Sequence, residues 1–68
     1  MESRMIGDIK YVLRKQFEAN IEKHAMNVRI MLNNPMAIHD HTDYMGAIEQ
    51  ELGHIAEYKD KLEALENI

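Results

Sequence analysis

Apolar residues recur at helical spacing along two long stretches of this chain, with one interruption between them. At about 100° per residue, Ile9, Leu13, Phe17, Ile21, Val28, Met31 and Leu32 share one broad face, and Arg14, Lys15, Glu18, Glu22 and Arg29 lie opposite. Further on, Tyr44, Ile48, Leu52, Ile55, Tyr58, Leu62 and Leu65 follow at intervals of three and four, the spacing of a helix–helix seam. The interruption is Asn33-Asn34-Pro35, which holds the only proline. Asn tolerates the left-handed conformation that ends many helices. Proline has no N–H, forbids continuation and pushes Asn34 out of the α region. Asp40 and Thr42 carry short oxygen-bearing side chains that can accept hydrogen bonds from the free N–H groups of a new first turn. The pattern predicts an all-α chain, a two-helix antiparallel hairpin over residues 1–68. Helix 1 is expected at about 8–33, a turn at 34–41 and helix 2 at about 42–66. Asp8, following Gly7, is the expected N-cap of the first helix.

A second apolar stripe changes this picture. Met5, Val12, Ala19 and Met26 recur every seven residues, with Ile9 and Ile30 alongside, on the shoulder of the main face of helix 1. One partner helix cannot cover both surfaces. Two helices of about 25 residues, roughly 38 Å long at 1.5 Å per residue, make a rod, whereas four make a closed core. The expectation is a homodimeric four-helix bundle with Met5, Val12, Ala19, Met26 and Ile30 at the oligomer interface.

Composition agrees with a small helical domain in need of support. A chain of 68 residues buries a modest fraction of its surface and generally needs a staple. Cysteine is absent, so no disulfide supplies one, and nothing points to an oxidising compartment. A hydrophobic content of 46% is too high for a disordered chain. With no Trp and one Phe, the interior must be aliphatic and rich in Met. No apolar run approaches the ~20 residues of a membrane span, and the start lacks the apolar core of a signal peptide. A soluble, intracellular protein with no membrane partner is expected.

The net charge of −4 is unevenly spread. Residues 1–34 hold six Lys/Arg and four Asp/Glu, whereas residues 35–68 hold two and eight. A basic first half and an acidic second half attract each other. The same split argues against nucleic-acid binding through Arg14, Lys15 and Arg29, which needs a positive patch left uncancelled.

The candidate chemistry is concentrated in one layer. Folding the chain at Ile38 brings His24 level with His54 in the middle of the rod. His24 sits centrally on the apolar face of helix 1, flanked by Asn20 and Asn27, and Glu51 and Tyr58 fall on the inner arc of helix 2. Helix 2 is therefore expected to cover His24 near Leu52–Ile55, with Glu51, Tyr58 or an Asn as its hydrogen-bond partner. A lone polar layer in an aliphatic seam fixes register and partner choice. On that reading, His24→Leu leaves stability unchanged or raised while loosening assembly. Glu51-Leu52-Gly53-His54 also reads Glu-x-x-His, the spacing with which di-iron bundles aim a carboxylate and an imidazole at one metal. His24, Glu51 and His54 are accordingly the candidate metal ligands. The match is incomplete, because Glu18 and Glu22 point outward and helix 1 offers no inward Glu at this level. His39-Asp40-His41 resembles a chelate too, but in a turn it reads as a solvated loop with a cap. No nucleophile–base pairing, Gly-rich phosphate loop, zinc-type cysteine spacing or catalytic signature is present. Neither enzyme activity nor a cofactor is expected. The leading expectation is a non-catalytic homo-oligomeric interaction or structural protein, and the alternative is a small metal-binding bundle.

The run Tyr11-Val12-Leu13-Arg14-Lys15-Gln16-Phe17-Glu18-Ala19-Asn20-Ile21-Glu22-Lys23-His24, then Leu32-Asn33-Asn34-Pro35, then Ala47-Ile48-Glu49-Gln50-Glu51-Leu52 and Ile55-Ala56-Glu57, resembles a known group. These are small helical proteins of unassigned activity encoded by tailed marine phages, including cyanophages. The resemblance spans nearly the whole chain from Lys10 onward. It implies a phage accessory or structural protein, made in the cytoplasm of a bacterial host or carried in the virion. The partners it implies are a second copy and another phage or host protein. It transfers no site residues.

Overall fold

The computed structural model describes residues 2–34 and 41–68, with side chains for 4–34 and 43–68. Two helices make up this part of the chain, α1 (Glu2–Asn33) and α2 (His41–Glu66). They run antiparallel along each other: Arg14 meets Glu66, Phe17 faces Tyr58, and His24 meets Glu51 and His54. Of the turn expected at 34–41, residues 35–40, with Pro35, His39 and Asp40, lie outside the described residues, as does the side chain of His41, whose backbone begins α2.

The first helix starts earlier than the expected cap at Asp8, which is an interior residue of α1. Glycine in a helix interior costs about 1 kcal/mol relative to Ala, whereas extending an existing helix by good formers such as Arg4 and Met5 is nearly free. Gly7 therefore weakens α1 without ending it. At the other end, no non-glycine residue among those described has a positive φ, so the expected left-handed Asn cap does not form. Asn34 closes the helix with its side chain: its amide donates to the Ile30 carbonyl at 2.9 Å, and its backbone N–H reaches the Met31 carbonyl at 3.4 Å. At the start of α2, Asp43 lies in the first turn, where its charge complements the helix dipole. At the end of α2, the Ile68 N–H donates to the Leu65 carbonyl at 3.2 Å, a tighter final turn.

The seam between the helices differs in detail from the expected one. On α2 the half-buried positions are Tyr44, Gly46, Ala47, Ile48, Glu51, Ile55, Tyr58, Leu62 and Leu65. Glu51 faces α1, as its place on the inner arc predicts, whereas Leu52, expected beside it on the seam, is exposed. On α1, Leu13, Phe17, Asn20, Ile21, His24, Asn27, Val28 and Met31 are half-buried, while Ile9 and Leu32, expected on the same face, are exposed. A straight α-helix turns by 3.6 residues while a seam repeats every 3.5, so positions at the ends of a long stripe drift off the contact. Arg14, expected on the opposite face, lies at the seam edge, and its long stem carries the guanidinium across to Glu66, Nε to Oε1 at 2.5 Å.

The result is a rod of 56 × 15 × 11 Å. Its radius of gyration of 16.2 Å compares with about 11 Å for a compact domain of this length. No side chain among the described residues is fully buried. Phe17 and Tyr58 form the main aromatic contact, centroids 6.1 Å apart and tilted by 36°. Such pairs add about 0.5–1.5 kcal/mol beyond their area burial.

Candidate functional site

Two features of the hairpin carry chemistry beyond the packing of two helices. One is the polar layer in the seam, and the other is the apolar stripe left on the outside of α1.

In the layer, α1 presents Asn20, His24 and Asn27 on successive turns, and α2 presents Glu51 and His54 one turn apart. The His24 side chain is 12% exposed and its Nδ1 bonds the Glu51 carboxylate. The Asn27 amide donates to the other Glu51 oxygen at 3.2 Å. One carboxylate on α2 thus spans two turns of α1. The His24 hydrogen bond holds the Glu51 carboxyl below the usual carboxylate range; the Asn27 bond works in the same direction, and burial opposes both. The His54 ring stacks on His24, centroids 4.6 Å apart and 24° from parallel, and Tyr58 lies along the other side of the cluster at 6.1 Å. His54 is itself half exposed, with Nδ1 3.8 Å from Glu57.

The candidate metal ligands His24, Glu51 and His54 are brought together here through a carboxylate–imidazole bond and a ring stack. A metal ion needs donor lone pairs that converge on one point, whereas two stacked imidazoles direct their in-plane lone pairs side by side. The His24 Nδ1 is already engaged by Glu51. Among the described residues, no group of three or more His, Cys, Asp or Glu side chains is placed to hold a metal ion. The second chelate-like run, His39-Asp40-His41, falls outside the described side chains. What the arrangement does chemically is to fix the register of α1 against α2, since sliding by one turn would strip the carboxylate of both donors. Sequence reasoning missed the Asn27 arm and the Arg14–Glu66 tie, although the three- and four-residue spacing through Glu51 carried the signal for the first.

The outer stripe is open to solvent. Met5 is 66% exposed, Val12 61%, Met26 56% and Ile30 53%, and Ala19 between them is also exposed. Met5, Asp8, Ile9, Val12 and Leu13 border an open groove of about 370 Å³ near the start of α1. Neither described helix is long and apolar enough to cross a membrane. The Tyr44 hydroxyl, at the other end of the rod, is covered and has no hydrogen-bond partner among the described residues. Comparison with protein-family models, with curated proteins and with solved structures yields no match for this chain.

Proposed function

We propose that this chain is a non-catalytic helical hairpin that works by protein–protein association, first of all with a second copy of itself in a homodimer of four bundled helices. It is of the accessory or structural kind that the likeness to tailed-phage proteins implies, acting in a bacterial cytoplasm or in the virion. The observation that carries this reading is the absence of any fully buried side chain among the described residues, together with an apolar stripe on α1 that stands more than half exposed at four of its residues. Ordering each residue costs about 1–2 kcal/mol of backbone entropy, and burial of apolar area must offset it. A seam of half-buried residues on one side of each helix supplies little of that area. Association covers the stripe and supplies the remainder.

Sedimentation equilibrium of untagged protein at micromolar concentration tests the proposal. The expected mass is at least twice the 8.0 kDa of one chain. Dilution is expected to reduce mass and helicity together. A stable, fully helical monomer overturns the reading.

A further inference from the structure

The α1 stripe specifies the direction in which it is covered. Written as a heptad, Ile9, Gln16, Lys23 and Ile30 form one row and Met5, Val12, Ala19 and Met26 the other. All eight are exposed. At 100° per residue this second seam lies about 110° around α1 from the residues that face α2. Along its flank stand Asp8, Lys15, Glu22 and Arg29, seven residues apart, alternating in sign and all exposed.

We propose that this seam is occupied by α1 of a second copy of the chain, running antiparallel and centred between Phe17 and Glu18, with Lys15 beside the partner's Glu22 and Asp8 beside the partner's Arg29. The inference rests on the self-association proposed above and adds its surface, direction and register. Turned end for end about that centre, the seam maps onto itself. Met5 then lies against the partner's Ile30, Ile9 against the partner's Met26, Val12 against the partner's Lys23 and Gln16 against the partner's Ala19. The outer layers are wholly apolar. In the inner ones the Lys23 stem lies along Val12 while its ammonium reaches water. The partner's Met26 and Ile30 arrive where Met5, Ile9 and Val12 border the open groove.

Charge selects the same arrangement independently. In an antiparallel pair the flanking rows meet each other, and here every acid meets a base, each pair being made twice by the two-fold axis. In a parallel pair the flanking charges would instead meet the partner's Leu13, Asn20 and Asn27, and Lys23 would oppose its own copy in the middle of the seam. Within one chain Lys15 lies 3.7 Å from Glu18 and 5.6 Å from the Tyr11 ring centroid, exposed contacts that leave its ammonium accessible to a partner carboxylate.

Charge reversal tests the pairing. Lys15→Glu alone and Glu22→Lys alone each set like charges opposite one another at two places, and each is expected to weaken self-association about tenfold or more at low salt. The double variant Lys15→Glu/Glu22→Lys restores opposite signs and should recover wild-type mass. An equimolar mixture of the two single variants should do the same by forming heterodimers. Circular dichroism at high concentration reports whether each variant keeps its helices. A wild-type chain that stays monomeric sinks the association itself. A wild-type dimer that is indifferent to these reversals, or weakened without rescue in the double variant and the mixture, leaves association standing and overturns this seam.

Discussion

The Glu51 carboxylate accepts hydrogen bonds from both His24 Nδ1 and the Asn27 amide, so one side chain of α2 ties two successive turns of α1. The carboxylate partner alters what replacing His24 does. His24→Leu adds apolar surface but leaves a partly covered carboxylate without its main donor, and an abandoned polar partner costs more than a removed pair. The single variant should therefore melt below wild type, contrary to the neutral or stabilising effect expected of a layer that only fixes register and partner choice. The double variant His24→Leu/Glu51→Leu should melt at or above wild type with a looser register. Thermal melts at one concentration, followed at 222 nm, decide between these outcomes; a single variant as stable as wild type would show that the tie contributes nothing.

Acid should weaken the hairpin in a defined direction. The folded-state pKa of Glu51 is lowered, first by its His24 bond, and that of Glu66 is lowered, first by its Arg14 bond. A depressed carboxyl pKa contributes stability that is complete above the ordinary Glu value of about 4.3 and is lost as pH falls through the lower folded value. Melting temperature should hold on this account between neutrality and about pH 5, then drop below about pH 4. Glu51→Gln should flatten part of that drop. An acid limb identical in wild type and Glu51→Gln would remove Glu51 as its source.

Gly53 offers a stabilising substitution. A Cβ added there meets nothing within 4 Å, so the glycine serves no close approach between helices. Its cost is that of glycine in a helix interior, and Gly53→Ala should raise stability by about 0.5–1 kcal/mol in denaturant titrations without changing the oligomeric state. A loss of stability would mean that α2 meets a neighbour on that side in the assembly.

Tyr44 carries a covered hydroxyl with no partner among the described residues. Leaving such a group unsatisfied costs about 1–3 kcal/mol, and Tyr44→Phe removes it with the ring intact. The variant should be as stable as wild type or up to about 1 kcal/mol more stable. A clear loss would show that the hydroxyl has found a donor or acceptor in the assembled protein.

The residues themselves explain what could be read in advance. Two helices were legible because a single proline splits two stretches of helical period. The polar layer was legible because His24 sits mid-stripe among Leu13, Phe17, Val28 and Met31. The inward place of Glu51 was legible too, but the exposure of Leu52 was not, since both fall on the inner arc of α2 and periodicity favours the apolar one. The decision came from across the seam, where His24 and Asn27 offer donors that a leucine cannot use. The cap at Asn34 failed for a related reason: a side-chain amide reaching the Ile30 carbonyl does the work expected of a left-handed backbone. Arg14 looked like a solvent residue because wheel position ignores the reach of a long stem.

The hairpin is only 11 Å across in its thinnest direction. At that thickness no atom is far from water, and a lone copy has no dry interior in which amides or apolar groups can shelter. On the self-association proposed above, concentration becomes part of the folding equilibrium, because anything that binds the folded form draws the unfolded one after it. Copies made below the dissociation constant would spend much of their time open to proteolysis, while copies above it protect one another. With that dimer, the half-life of the chain in a cell lengthens with its own abundance, a threshold set by thickness.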